Sequence, residues 1–440
     1  MFPMWKNPTD KYASNSLWLL TERAAMMGLA FVSGILIART FGPDEFGKLN
    51  YAIGFVQIFI FLSTLGIDPV VVKELVQRPE DHLDILGSAL VMRLAGFCVM
   101  AVSVLAACFI SGVSRESFLL ILLVLGSGLG SALFSISNAF EAEMKNGLAA
   151  PFCIGVNLLF FALNCLGCFL RLPLLFFAFT NGAVVLCSAA SKWLVYRRAF
   201  GQFPLQRADL GTMVRIGRKS AWLFGQLALT TFAANISYPV LKAFCSDQVI
   251  GFYAVTAKIE VCALVFAEVV AISMFPVIIR AIDRPEEFGS RLRRLYRIVF
   301  WTGVAAVPMA YLLGKPVIRL LYGPDFDEVG KLLWVAVMAL PLNGLAQIFF
   351  RWCVIRRYEY AIVLQTFISA AAILICTICL SRRYGYAGAV WSIFAASAAQ
   401  WLALLFVSGD IRGHVMWMFR NLFSASGFGS ETGPLEGRGQ

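Results

Sequence analysis

Apolar runs of about 20 residues recur along almost the whole chain, and that is the length an α-helix needs to cross the hydrocarbon core of a bilayer. The runs fall at 16–38, 49–72, 86–110, 117–140, 148–170, 173–196, 219–241, 249–279, 296–314, 332–353, 360–380 and 387–408. Inside lipid every backbone N–H and C=O must be satisfied within its own segment, so runs of this kind dictate helices. Composition agrees. The chain is 59% hydrophobic and only 14% charged, with a mean hydropathy of +0.76, and a soluble chain of 440 residues needs far more charge to cover its surface. The expectation is an all-α polytopic membrane protein of about twelve transmembrane helices. Ser111 to Glu116 and Arg171-Leu172 are the only separators of the third from the fourth and the fifth from the sixth runs, so these pairs are tight helical hairpins. The eighth run is longer than one crossing requires and should be tilted, bent or extended beyond the bilayer.

The net charge of +11 would suggest nucleic acid in a soluble protein. Here the cations sit in short loops, where they set topology, and no nucleic-acid partner is implied. Of the 37 basic residues, 24 are assigned to loops on the side of the N-terminus, with Lys192 among them, and 10 to the opposite loops. Cationic loops resist translocation, so both termini are expected in the cytoplasm. The first fifteen residues are polar, lack a cleavable apolar core and are not expected to act as a signal peptide. A basic linker at 197–218 divides the chain into an N-terminal bundle at 1–196 and a C-terminal bundle at 219–408, each of six helices. Residues 409–440 then form a cytoplasmic tail, polar and Gly/Ser-rich from Ser424. An even number of spans per half makes the halves a parallel pseudo-repeat.

Charge at the bilayer centre costs about 2.5–3.5 kcal/mol on insertion scales, so ionic side chains retained within spans are the first candidates for function. Glu22, Arg23, Asp68 and Arg93 lie on three consecutive spans at comparable depth. One reading makes them a partly cationic vestibule for a phosphorylated headgroup, because the planar arginine fork offers two donors to phosphate oxygens. The other pairs Glu22 or Asp68 with Arg23 or Arg93. The eighth span carries Lys258, Glu260 and Glu268; Lys258 is a candidate anion contact and Glu268 a candidate ion-coupling carboxylate, beside Glu22 and Asp68. Asn235 and Pro239 interrupt the seventh span, where proline frees a carbonyl and bends the helix. The stretch Arg291–Arg297 either enforces topology or attracts acidic lipid heads.

No catalytic constellation is visible. Cys165-x-x-Cys168 and Cys376-x-x-Cys379 fall inside apolar helices and read as packing residues. The two histidines, His82 and His414, both lie near loops, which argues against a histidine-centred site. Gly126-Ser127-Gly128-Leu129-Gly130 is helix-packing material, not a nucleotide loop. No cofactor, metal or ATP site is expected, which leaves an ion gradient, the membrane potential or the substrate gradient as the driving force for any transport.

From Leu17 to Leu90 the chain resembles the polysaccharide-transporter branch of the multidrug/oligosaccharidyl-lipid/polysaccharide flippase superfamily, which includes O-antigen flippases. The resemblance rests on Ser16-Leu17-Trp18 with Glu22-Arg23, on IARTFGPDEFG at 37–47, on Tyr51-Ala52, on LGID at 65–68 and on VVKEL at 71–75. In the later half IGFYA at 250–254 with Ala257-Lys258, LYGPDF at 321–326 and YGYAGA at 384–389 are similar. The Gly42-Pro43 pair should stop the first helix, with Asp44 as the cap of the next. The resemblance implies two six-helix bundles around a central cavity, working by alternating access in the bacterial inner membrane. Its substrate would be an undecaprenyl-pyrophosphate-linked oligosaccharide, carried from the cytoplasmic to the periplasmic leaflet. Arg23, Arg93 and Lys258 would be its cavity cations, with Lys258 at the family's Ala-Lys position. Membrane lipids, a polysaccharide polymerase and a chain-length regulator are the partners it brings. The alternatives are a cation-coupled multidrug antiporter of the same superfamily, or a membrane polymerase or acyltransferase acting on the same glycolipid.

Overall fold

The computed structural model describes residues 8–201, 207–281 and 284–423. The polar segment from Ser424 lies outside them. The described residues are predominantly helical and contain no strand. They pack as two compact units, Met1–Tyr238 and Pro239–Gln440.

The first unit begins with α1 (Pro8–Ile58), α2 (Ile60–Thr64), α3 (Asp68–Gln77) and α4 (His82–Ile110). It continues through α5 (Arg115–Val124), α6 (Gly126–Leu133), α7 (Ser137–Ala142), α8 (Asn146–Phe169), α9 (Leu174–Phe200) and α10 (Leu210–Asn235). After α11 (Ser237–Phe244), the second unit holds α12 (Asp247–Ile279), α13 (Pro285–Tyr322), α14 (Asp327–Val337) and α15 (Leu340–Arg356). Its last elements are α16 (Glu359–Tyr384), α17 (Tyr386–Leu404) and α18 (Gly409–Phe423).

Nine of the described helices are long and apolar enough to cross a bilayer, and α14 with α15 makes a tenth, bent by 46° at the break. Among the described residues that makes nine or ten candidate spans, against the twelve expected, and the difference falls at two helices. One is the second half of α1, set off where Gly42 leaves the helix at φ 76°, ψ 178°. The other is α10, whose first half carries Arg215, Arg218 and Lys219. At the Gly42 break Pro43 takes the first helical position, which suits its missing N–H. Asp44 therefore sits inside the first turn, which corrects the expected cap.

The helices present many large apolar side chains outward. Phe109, Phe169 and Leu312 are 89%, 84% and 70% exposed. A soluble protein rarely tolerates such a surface, whereas a bilayer supplies the missing apolar contacts. Inside the first unit a core forms around Ile67, Val71, Ile85, Phe140, Tyr196 and Ile216.

The second unit builds an aromatic core around α18, which takes up residues 409–423 of the tail expected at 409–440. Ile411, Val415, Met418 and Leu422 recur at helical spacing and are all buried. His414 is not near a loop but 1% exposed, stacked 3.7 Å from Trp352, with its Nε2 3.1 Å from the Tyr296 hydroxyl. Arg297 and Trp301 on α13 donate to the last carbonyls of α18, at Asn421 (2.8 Å) and Leu422 (3.2 Å). Helix ends need such donors. Part of the Arg291–Arg297 stretch is thus spent inside the protein.

Candidate functional site

The ionic side chains of the first unit gather around a set of deliberate breaks. Leu65 and Gly66, at φ 56° and 62°, end α2 and turn the chain into α3. The turn places Asp68 in the first turn of α3, where a carboxylate meets the positive end of the helix. It also leaves the Thr64 carbonyl without its helical donor. Arg93 on α4 answers both groups, with Nε donating to the Thr64 carbonyl at 3.2 Å and Nη2 to Asp68 Oδ2 at 2.8 Å. Arg93 reaches them because Gly96, one turn further along α4, lies against the α2 backbone; a Cβ there would stand 2.1 Å from the Leu62 oxygen. Arg93 is 3% exposed, and only the ion pair makes a buried guanidinium tolerable.

A second pair lies across α1 and α9. Glu22, 5% exposed, and Lys192, 2% exposed, meet at 2.8 Å. The ammonium also donates to Ser137 Oγ at 3.1 Å and sits 4.3 Å from the Phe134 ring centroid. The broken fourth span joins the two pairs. After α6 the chain passes through a 3₁₀ turn at Phe134–Ile136 into α7. There Ser137 contacts Lys192, and Asn138 donates to Asp68 Oδ1 at 2.8 Å. Glu141, one turn on, feels Arg23 and Lys192 as attracting charges and Asp68 and Glu22 as repelling ones. Trp193 secures the break by donating to the Leu133 carbonyl at 2.8 Å. Glycines bring α9 close enough for this, since a Cβ on Gly130 would lie 2.6 Å from the Leu186 nitrogen.

Of the expected site residues, the structure therefore gathers Glu22, Asp68 and Arg93 into one polar region. Arg23 is on α1 with an exposed side chain, close enough to Glu141 to interact with it electrostatically. Asn235 ends α10, its amide donating to the Thr231 carbonyl at 2.9 Å, and Pro239 falls in the first turn of α11. Lys258 is half-buried on α12. Glu268, on the same helix, is exposed and interacts electrostatically with Arg351.

Lys192 was misplaced by sequence reasoning. Assigned from the sequence to the loops on the side of the N-terminus, it is a buried residue of α9. Removing it lowers the richer side by one and leaves the asymmetry intact. Sequence reasoning also passed over Asn138 and Ser137, polar residues in an apolar run. The second unit has a smaller polar chain of its own. Asn343 on α15 donates to Glu260 on α12 at 2.9 Å and accepts from Gln400 on α17 at 3.3 Å. All eleven cysteines are free thiols. Among the described residues no group of His, Cys, Asp and Glu could hold a metal ion.

Helices of bilayer length, broken where they meet paired charges, define a polytopic membrane protein with a transporter fold. The chain resembles the lipid II flippase MurJ in an inward closed conformation, with a TM-score of 0.68 at 16% identity over 94% of each chain. It also resembles an inward-facing multidrug resistance MATE transporter of the MOP superfamily, with a TM-score of 0.61 at 12% identity, covering 90% of this chain and 96% of that one. A Vibrio cholerae MATE transporter matches at TM-score 0.56 and 15% identity, over 90% of this chain and 97% of the other. No curated protein matches the sequence. The chain belongs to the polysaccharide biosynthesis protein family, whose sequence model it matches over residues 12–282.

Proposed function

We propose that this protein is a flippase for an undecaprenyl-pyrophosphate-linked oligosaccharide, an O-antigen or similar surface-polysaccharide repeat unit. It carries the substrate from the cytoplasmic to the periplasmic leaflet of the bacterial inner membrane, with both termini in the cytoplasm. The observation that carries the reading is the coincidence of a polysaccharide-biosynthesis family match with two buried ion pairs, Glu22–Lys192 and Asp68–Arg93, inside membrane helices. Buried charge is retained in membrane helices at a cost, and its commonest use is on a substrate or ion pathway. A polymerase and a chain-length regulator are its proposed partners.

Two roles separate within this reading. Arg23 and Lys258 are the cations proposed to meet the pyrophosphate. Glu22 and Asp68 are the carboxylates proposed to couple transport to an ion gradient or the membrane potential, with Glu268 as a third candidate. Arg93 and Lys192 hold the first two in place. Breaking such a pair leaves an uncompensated buried charge, so protonation or cation binding at either carboxylate would bias the helices that the pair joins. Alternating access between the six spans at 1–196 and the six at 219–408 is the mechanism proposed. The structural likeness to MATE transporters also fits a cation-coupled antiporter; the family match favours the glycolipid.

The direct test is reconstitution. Proteoliposomes containing the purified chain should move a labelled undecaprenyl-pyrophosphate glycan between leaflets, and Lys258→Ala should slow transfer while still inserting and folding. No transfer by well-folded protein given the right glycan would remove the reading, and full activity of Lys258→Ala would remove that residue from the site.

A further inference from the structure

A cluster of cations at the foot of α3 and α10 serves no part of the proposed transport chemistry. Glu74, in the last turns of α3, has a side chain only 2% exposed, yet three basic groups converge on it. Lys219 donates a hydrogen bond to Oε1, Arg215 Nε stands 3.3 Å from Oε2, and Arg78 Nε stands 3.9 Å from it. Arg215 and Lys219 are one turn apart on α10, so both project from the same face. The arrangement is built in advance. Asp209 caps α10 by accepting from the Thr212 N–H at 2.7 Å, and its own N–H donates to Ser88 Oγ on α4 at 3.0 Å. The start of α10 is thereby pinned beside α3 and α4.

The charge does not balance. Glu74 neutralises one of the three cations, and Asp209, within electrostatic reach of Arg215, offsets part of a second. Glu80, Asp81 and Asp84 follow closely in the chain, but among the described residues none comes within ion-pair distance of the cluster. At least one positive charge remains, enough to balance the single negative charge of a phosphodiester. The donors have spare capacity too. Arg215 Nε lies at ion-pair distance from Glu74 but is not aligned for a hydrogen bond. Lys219 and Arg78 keep 52% and 44% of their side chains exposed. The hydrogen bond from Lys219 holds the Glu74 carboxyl below the usual carboxylate range, so it stays charged and holds the cations around it. Arg78 immediately precedes the candidate membrane span Pro79–Ile110, a position that suits contact with lipid headgroups.

We infer that Arg78, Arg215 and Lys219, organised by Glu74, form a binding site for a phosphodiester group, and that its occupant is an anionic lipid headgroup bridging α3 and α10. Arginine and lysine recognise phosphate through charge-assisted hydrogen bonds, and basic pockets between transmembrane helices are suited to anionic headgroups. The site lies in one unit and does not depend on the transport reading.

The test uses the purified full chain in neutral detergent at low salt, with melting followed on titration of short-chain phosphatidylglycerol, short-chain phosphatidylcholine or inorganic phosphate. Phosphatidylglycerol should raise the melting midpoint saturably, phosphatidylcholine should not, and added salt should weaken the effect. The double variant Arg215→Gln/Lys219→Gln should bind about tenfold or more weakly, the loss of one or two charge-assisted hydrogen bonds. Stabilisation by inorganic phosphate as well would support the site, the phosphate of the headgroup being the part recognised, whereas a response to inorganic phosphate without one to phosphatidylglycerol would overturn the lipid occupant. If the double variant does not fold, Arg78→Gln decides: it removes an exposed cation, leaves the Glu74–Lys219 hydrogen bond in place and should weaken phosphatidylglycerol binding. An equal response to both lipids, a double variant that responds like the wild type, or unchanged binding in Arg78→Gln would overturn the site and leave a salt bridge that only staples two helices.

Discussion

Glu22 and Lys192 illustrate what a buried charge requires of its neighbours. Each alone would be an uncompensated ion, and removing one member of such a pair typically destabilises by about 3–5 kcal/mol. Lys192→Met should therefore lower the thermal midpoint sharply, and Glu22→Gln in the same chain should recover most of the loss. A double variant no more stable than Lys192→Met alone would mean that Ser137 and the Phe134 face, rather than the carboxylate, hold the ammonium. His414 gives a prediction with a sign. Burial, with Arg356 adding repulsion, pushes its pKa down to about 3, against an ordinary value of about 6.5. The unfolded chain binds the proton first as pH falls. Stability should thus be level above about pH 6.5 and fall by up to about 1.4 kcal/mol per unit as pH drops from there toward 3. Melting curves between pH 7.5 and 5 should show this slope, and His414→Phe should flatten it. Glu22, Asp68 and Arg93 were legible in sequence because charge stands out in an apolar run. Lys192 was not, since a lysine five residues before Arg197 looks like an ordinary positive flank.

At the scale of elements, the breaks matter more than the helices. Gly66 adopts φ 62°, and a Cβ there would come within 3.1 Å of the Leu223 carbonyl on α10. Gly96 is tighter still against Leu62. Gly66→Ala should cost about 1–2 kcal/mol from the left-handed backbone, with crowding added. Gly96→Val should do more, because it drives α4 off α2 and pulls Arg93 from Asp68. Thermal melts of the two variants test the order; a silent Gly96→Val would show that α4 can shift without loss. The helices themselves were largely readable, since bilayer length and apolarity impose them. The break at Gly42 was readable too, because a Gly-Pro pair interrupts a helix. The breaks in the fourth span were hidden, because no proline or charge marks residues 125–137. The docking of α18 was also missed. Its apolar stripe is short and lies between arginines, and only the aromatic pocket around His414 shows why it stays bound.

For the whole molecule, the compact units divide at Tyr238, one helix beyond the basic linker that sequence singled out. A long polar loop marks where a chain can be parted, whereas packing decides which helices belong together, and α10 packs on α1, α2, α3 and α4. The fold could be read from hydropathy and a few motifs. The pairing of charges could not, because pairing depends on which helix faces which. The measurement that bears most directly on the proposal is the initial rate of leaflet transfer of an undecaprenyl-pyrophosphate glycan in proteoliposomes, with and without an imposed proton or sodium gradient. Wild-type protein should transfer the glycan faster with the gradient, and Asp68→Asn and the stable Glu22→Gln/Lys192→Met pair should transfer it slowly and without regard to the gradient. Gradient-driven transfer at the wild-type rate in both variants would contradict the role given to the buried pairs.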